Sequence, residues 1–483
     1  MRPLFSVCAA LLFTFVAEGR ILVVPTQYGT IQGAINASIN GDTVLVERGT
    51  YLENINFRGK RIVLTSRFLY TRDPADVVAT VIDGSAPANP DTASCVIIAN
   101  GEDSTAVLQG FTVTRGTGTK WLDEHGAGTY VEGGGVLTQY SSPTIRHNRI
   151  VGNVAVRRPS GATSAGGGGI RVGDGVPRIL NNVIMGNEAM YGGGVVLNYT
   201  GAVLRNNIIA TNRVYQAVVG APTFGGGGVW CSSGFPGGDR LLENNTIALN
   251  TVTGSGGTYA GRGGGVLLAG TTMTMKNTIV WGNTQSIGTP VGVIQGGTLT
   301  ATYNDVEGGI AGTGNIDLAP AYADTAFHLT PASPAVDAGD PSAGYNDPPD
   351  PGNPGFTLFP SRGTVRNDMG AYGGPARTEL IRVVTSIGEG PEASAPLEAG
   401  LLQNFPNPFN PATTIRFTLA TRERARLSVA NLLGQEVALL VDALLAPGTH
   451  ALHWNPGGLP SGVYVAVLRT PSSTQTKKLV YLR

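Results

Sequence analysis

The sequence predicts an all-β protein in two parts, a solenoid of stacked coils followed by a small β-sandwich. Three observations carry this. A unit of 25 to 38 residues recurs, opening on a glycine run and closing on Asn-x-Ile and a further asparagine. No stretch of the repeat holds the sustained 3.6-residue apolar rhythm of a helical array, so each unit is short strands divided by Gly and Asn. The last 83 residues carry about seven short strands at turn spacing.

The clearest unit runs from Tyr191-Gly192-Gly193-Gly194-Val195 to Asn206-Asn207-Ile208-Ile209-Ala210-Thr211-Asn212. Glycine runs open units at Gly133, Gly166, Gly192, Gly225 and Gly263. The closing pattern recurs as Asn148…Asn153, Asn182…Asn187, Asn207…Asn212 and Asn245…Asn250, and Thr278 replaces Asn in the copy ending at Asn283. With weaker copies ending at Gly116 and Gly309, the closing positions lie 37, 34, 25, 38, 33 and 26 residues apart. Periods of this size mean a solenoid, because one coil cannot bury its own apolar face whereas stacked coils share a core. Ile150, Ile184, Ile209, Ile247 and Val280 are expected to form an inward aliphatic ladder. Asn148, Asn182, Asn207 and Asn245 are expected to form an amide ladder, each in a left-handed corner and bonded to the next coil. Glycines supply positive φ or close backbone approach at another corner. Over residues 20–310 the pattern resembles the right-handed parallel β-helix of the pectate-lyase-like superfamily, a resemblance that speaks to fold and not to activity.

A formal net charge of zero gives nucleic acid or an anionic membrane nothing to bind. Charged residues are only 14%, and 70 of 483 residues are Gly, about twice the usual share of roughly 7%. That composition suits a glycine-cornered extracellular β protein. Met1–Gly19 reads as a secretory signal peptide, with Arg2, an apolar core Leu4–Val16 too short to span a bilayer, and small residues at Ala17 and Gly19. Cys8 lacks the small residues that precede a lipoprotein cysteine, so no lipid anchor is expected. The mature chain is read as a monomer with no transmembrane segment. Its two cysteines, Cys95 and Cys231, fall four coils apart. That is about 19 Å at roughly 4.8 Å per coil, far beyond the roughly 7 Å that a disulfide spans. Both are expected to stay unpaired.

Taken in order, Ile21–Val24 is a strand, and Thr30–Ile39 places Ile31, Ile35 and Ile39 at helical spacing. A short helix there covers the open end of the solenoid, which is otherwise a bare sheet edge. This opening, with Thr30-Ile31-Gln32, Gly41-Asp42 and Gly49-Thr50-Tyr51, is similar to the start of many secreted bacterial β-helix proteins. Strands are expected at Arg61–Leu64, Val77–Ile82, Cys95–Ala99 and Val107–Val113. In 311–375, Ser333-Pro334-Ala335-Val336-Asp337-Ala338-Gly339-Asp340-Pro341 and Asn367-Asp368-Met369-Gly370-Ala371-Tyr372 resemble the closing segment of a large family of such proteins. Asp337, Asp340, Asp347, Asp350 and Asp368 offer oxygen ligands of the kind Ca²⁺ takes. The preferred reading is a turn-capped segment that closes the lower end of the solenoid.

Residues 376–400 read as a Glu/Ala/Pro/Ser/Gly linker. Strand signals at Thr413–Leu419, Arg426–Ala430, Glu436–Val441, Thr449–Trp454, Val463–Arg469 and Thr476–Leu482 make 401–483 an immunoglobulin-like domain. It contains Asn404-Phe405-Pro406-Asn407-Pro408-Phe409-Asn410-Pro411, Leu433-Gly434-Gln435-Glu436-Val437, Leu459-Pro460-Ser461-Gly462-Val463-Tyr464 and Lys477-Lys478. Together these look like the type A C-terminal sorting domain of the type IX secretion system. The resemblance implies that 401–483 addresses the protein to that machinery, for export across the outer membrane of a Gram-negative bacterium.

Insertions in a repeat array share one face, often the functional one. Here they are Thr117–Glu132, Val154–Ala165, Arg213–Phe224 and Thr251–Arg262, expected as loops along one edge. They carry Trp121, Asp123, Glu124, His125, Arg157, Arg158, Arg213, Tyr215, Tyr259 and Arg262, and Tyr191 joins them from the shortest coil. Aromatic faces beside guanidinium groups suit a sugar chain, particularly a uronate. Catalysis has thinner support. The regular coils hold few acids and no Asp-Asp pair, and the Asn-Thr-Asp, Gly-His-Gly and Arg-Ile-Lys signatures of polygalacturonases do not occur. Trp121-Leu122-Asp123-Glu124-His125 resembles the Trp-Ile-Asp-His element of pectate lyases with one residue too many. That resemblance implies His125 as base, with Asp123 beside it and Arg157 or Arg158 neutralising the substrate carboxylate. The leading expectation is a secreted or surface solenoid that binds a polysaccharide or cell-surface glycan, mediates adhesion or has an envelope role, without catalysis. The alternatives are a lyase or hydrolase acting on an acidic glycan, and an adhesin that binds proteins on its flat strand faces.

Overall fold

The computed structural model describes residues 19–377 and 400–482, apart from 221, 235–239, 255–258, 288–292, 296, 402–403, 405–406, 408, 411–412, 420–422, 446–447 and 472. The signal-peptide reading of 1–18 and most of the linker reading lie outside the described residues. The chain forms two compact units.

The first unit is a parallel β-helix. Among the described residues, three all-parallel sheets of eight, ten and nine strands run along it. In one coil Val136–Gln139 lies on the first face, Thr144–Arg146 on the second, Arg149–Val151 on the third and Val154–Ala155 in a short fourth strip. The predicted aliphatic ladder forms on the third face. Ile150, Ile184, Ile209, Ile247 and Val280 pair in register, fully buried, and Ile82, Val113 and Val306 extend the column. The glycine run is required by the coil spacing: a Cβ on Gly193 would stand 2.7 Å from the Gly227 carbonyl oxygen, and one on Gly194 2.6 Å from that of Gly228.

The amide ladder also forms, with Nδ2 of Asn148, Asn182 and Asn207 donating to Oδ1 of the next asparagine at 3.0–3.1 Å. Its conformation differs from expectation. The left-handed residue is the one before each rung, namely His147, Asn181, Asn206 and Asn244, at φ of 50–54° or 55°. That residue turns the chain, so the ladder asparagine itself keeps ordinary φ and points its amide into the coil. The closing asparagines 153, 187, 212, 250 and 283 build a second ladder at the next corner. Cys95, just before Val96–Ile98, and Cys231, within Val229–Ser232, belong to first-face strands four positions apart, and both are buried and free.

A helix over Ile31–Ala37 covers the N-terminal end, with Thr30 Oγ1 accepting from Gly33 N and Glu53 accepting from Ile31 N and Gln32 N. Ile31 and Ile35 are buried, but Ile39 lies beyond the helix end and is exposed. Val77 is helical rather than in a strand, because Asp73 caps and Pro74 opens a helix over Pro74–Ala79. The stretch Val107–Val113 splits at Gly110, φ 82°, into strands on two faces.

Residues 311–375 only begin as an end cap. Asn315 and Ile316 add a partial last coil on Asn304 and Val306, and the chain then doubles back along the side of the solenoid. Phe327, Ala371 and Tyr372 pack on Val183, Ile208, Ala210 and Ala248, the outward side chains of the third face. Asn206 Nδ2 donates to the carbonyls of Ala371 and Gly373, Asn244 Nδ2 to that of Asp368, and Asp340 N donates to Asn277 Oδ1. This segment is a lateral strap across several coils.

Among the described residues, the second unit is an antiparallel sandwich of seven strands. One sheet pairs Gly400–Leu401, Thr413–Leu419 and Gly448–Trp454, and the other pairs Glu436–Leu445, Glu423–Ala430, Gly462–Arg469 and Thr474–Tyr481. Ile415, Phe417 and Trp454 meet Leu427, Val429, Ala466 and Leu468 in a core of its own.

Candidate functional site

Strand alternation on the first face sends Val136, Ile170, Val195 and Val229 inward and Leu137, Arg171, Val196 and Trp230 outward. The next outward row is Gln139, Gly173, Asn198 and Ser232, and Tyr140, Asp174, Tyr199 and Ser233 follow at the corner with φ of 45–57°. This outer surface is covered in part by an insertion. Thr117–Glu132 is not a loop. It is a hairpin of Gly118–Asp123 and Gly128–Glu132, flanked by Thr92–Ala93 and Ala162–Gly166 in a four-stranded sheet.

Between hairpin and first face lies a cleft of about 150 Å³. Five rings line it: Tyr130, Tyr191, Tyr199, Phe224 and Trp230. Tyr191 is at its centre, edge-on to Tyr130, Phe224 and Trp230 at 6.0, 5.5 and 5.4 Å. Its hydroxyl donates to Glu132 Oε1 at 2.5 Å, and Glu132 Oε2 meets Arg171 Nε at 2.8 Å. Arg171 is 2% exposed and its guanidinium lies 5.3 Å from the centre of the Trp121 ring. Burial, with Glu132 beside it, holds the Tyr191 hydroxyl well above the usual phenol range, and burial, Glu132 and Asp123 raise that of Tyr130. At the hairpin tip Asp123 accepts from His125 N, and the His125 ring stacks on Tyr199 at 3.5 Å with Nε2 2.9 Å from Asp174.

Two buried polar atoms of cleft-lining residues, Asn198 Oδ1 and Trp230 Nε1, have no hydrogen-bond partner among the described residues. Asn198 is 9% exposed. Such atoms cost free energy unless a water or ligand meets them.

Of the expected residues Asp123 and Tyr191 line this cleft, His125 stacks on its Tyr199, and Trp121 and Glu124 lie against Tyr140, whose hydroxyl donates to Glu124 at 2.7 Å. Tyr191 is buried at 3% exposure, not displayed on an edge. The arginines go elsewhere. Arg157 pairs with Asp91 and donates to the Pro90 carbonyl, while Arg158 Nε donates to the Ala162 carbonyl. The Asp91 carbonyl accepts from Lys120 N, three strand residues before Asp123, so Arg157 and His125 serve opposite parts of the hairpin. Arg213 stacks on Tyr215 at 4.2 Å and faces Glu188, and Tyr259 accepts from Arg262 N through its backbone carbonyl. Arg157, Arg158, Arg213, Tyr215, Tyr259 and Arg262 are all absent from the cleft lining among the described residues. The lyase arrangement, a base with a guanidinium beside it, is not assembled from the residues expected to form it.

The five strap aspartates cap turns and pairs. Asp337 accepts from Thr364, Asp340 from Ser342 N and Lys276, Asp350 from Gly352 N, Asp347 from Asp368 N and Gly374 N, and Asp368 from Asp337 N and Arg362 N. Among the described residues, no group of three His, Cys, Asp or Glu side chains converges as a cation site would need.

Asn198, Tyr199, Phe224 and Trp230 were not singled out by the sequence. For three of them the signal existed: counting alternately from the buried valine after each glycine run places 198 and 230 outward and 199 at the corner.

Residues 403–482 match the family model of the secretion system C-terminal sorting domain. That domain, of the type IX kind, directs its carrier to secretion or the cell surface and engages the export machinery. No curated protein matches the chain. Among the described residues no helix is long and apolar enough to cross a membrane.

Proposed function

We propose that the solenoid of this exported protein binds a glycan in the cleft between the hairpin and the first face, without turning it over. The observation that carries the reading is the pair of orphaned buried polar atoms, the Asn198 Oδ1 acceptor and the Trp230 Nε1 donor, on residues that line an aromatic cleft. A sugar ring offers an apolar C–H face to the rings and hydroxyls that donate to the one atom and accept from the other. The size fits one residue of a chain rather than a long oligomer, since pockets for drug-sized ligands run from about 300 Å³ upward. A cleft built on a rigid solenoid suits repeated, reversible contact at a cell surface.

The test is a glycan screen on the purified full chain that follows both binding and product release. Binding without product, weakened about tenfold by Trp230→Ala through the lost ring contact, is expected. Product that disappears in His125→Ala makes the protein an enzyme and overturns the reading.

A further inference from the structure

We propose that the cleft selects an amino-bearing sugar, taking its positively charged ammonium group between the ring faces and Asp123. The inference rests on the glycan-binding reading above and adds the charge of the ligand.

Among the described residues, every charged side chain that lines the cleft is acidic: Asp123 and Glu132. They are not equivalent. Glu132 is neutralised from below by Arg171 and holds the Tyr191 hydroxyl. Asp123 is 7% exposed, and among the described residues its carboxylate meets only the backbone N–H of His125. Among the described residues it is therefore a carboxylate without a cation, and its own burial leaves its field weakly screened. The five rings add to that field, because an aromatic face attracts a cation. Burial and these two carboxylates push the Tyr130 hydroxyl in the direction such a field requires.

An ammonium group has three donors and no acceptor, so it needs acceptors around it. The cleft offers the Asp123 carboxylate and the orphaned, nine-tenths buried Asn198 Oδ1. An acetylated amine brings no charge to Asp123. A uronate brings its own carboxylate against it and finds no guanidinium in return, since Arg157, Arg158 and Arg213 are engaged elsewhere. A lysine side chain would satisfy Asp123 but leaves a bare methylene stem beside Ser232, Ser233 and Trp230 Nε1, groups that sugar hydroxyls can meet.

Calorimetry on the full chain decides this with four probes: a de-N-acetylated glucosamine hexamer, its N-acetylated counterpart, a galacturonate hexamer and an oligolysine. The amino hexamer is expected to bind about tenfold tighter than the acetylated one. Asp123→Asn, which keeps the acceptor for His125 N, is expected to bring the two within twofold while leaving the melting temperature in place. Asn198→Asp, which adds a further carboxylate, is expected to widen the preference. Equal or tighter binding of the acetylated or galacturonate hexamer overturns the charge selection and leaves glycan binding standing. Tightest binding of oligolysine overturns it in favour of a protein partner. No heat with any of the sugars removes the glycan-binding reading itself.

Discussion

Gly166 is placed where Tyr191 needs empty space. Glu132, Gly166, Tyr191 and Gly225 form one column through successive coils, and Tyr191 lays its ring back across Gly166 to reach Glu132. A Cβ on Gly166 would stand 2.2 Å from Cε2 and Cζ of that ring. The backbone at Gly166 is not among the positive-φ positions, so alanine there is opposed by sterics and not by conformation. Gly166→Ala should therefore destabilise the solenoid by about 1–3 kcal/mol, the range for overpacking, and lift Tyr191 away from Glu132. Because the two side chains share one space, adding Tyr191→Ala should recover part of the loss. Denaturant midpoints of the two single variants and the double variant form the cycle. Additive effects would mean that the ring does not occupy the glycine's space.

The strap is the element that distinguishes this solenoid from a bare stack of coils, and its acids give it a pH dependence. Asp347 and Asp368 are buried against one another, with backbone N–H groups on their oxygens. Burial outweighs those bonds and pushes Asp347 up to about 7, while burial and the neighbouring Asp347 carry Asp368 well above the carboxylate range. The fold thus prefers the protonated pair. Against an unfolded value of about 3.9, this contribution is complete below that pH and is lost as pH rises through about 7. Hydrogen exchange over 320–376, corrected for intrinsic rates, should show more protection at pH 5 than at pH 8, and Asp347→Asn should flatten the difference. Protection equal at both pH values, or greater at pH 8, would show the pair ionised in the fold. The strap also marks where sequence reading stopped. Its turn-rich texture was legible, but its seat was not. The residues that grip it, Asn206, Asn244 and Asn277, stand one place before the ladder, and the doubled asparagines at 206–207 and 244–245 look like one signal. Only the left-handed turn at the first asparagine of each pair points that side chain out of the coil.

At the scale of the whole molecule, the solenoid was readable because each coil restates the same column chemistry, so one isoleucine position predicts its neighbours. The cleft was less so, since it is assembled from Asp123 to Ser233 across several coils and carries no motif of its own. The sandwich was legible for a different reason: its strands alternate and its turn motifs are dense within a short span. Among the described residues it also has a core of its own, and the solenoid's core is built from solenoid residues. Units with separate cores fold separately. Removing 403–482 should therefore leave the melting transition of the solenoid where it is, while abolishing its appearance outside the cell. The pair of measurements is differential scanning calorimetry on the shortened protein and protease accessibility on intact cells that carry the export system. A shortened chain that still reaches the surface would mean that the solenoid holds a second export signal. One that no longer folds would mean that the sandwich stabilises the solenoid as well as addressing it. A folded solenoid trapped inside the cell assigns export to 403–482 and leaves the fold of the solenoid independent of it.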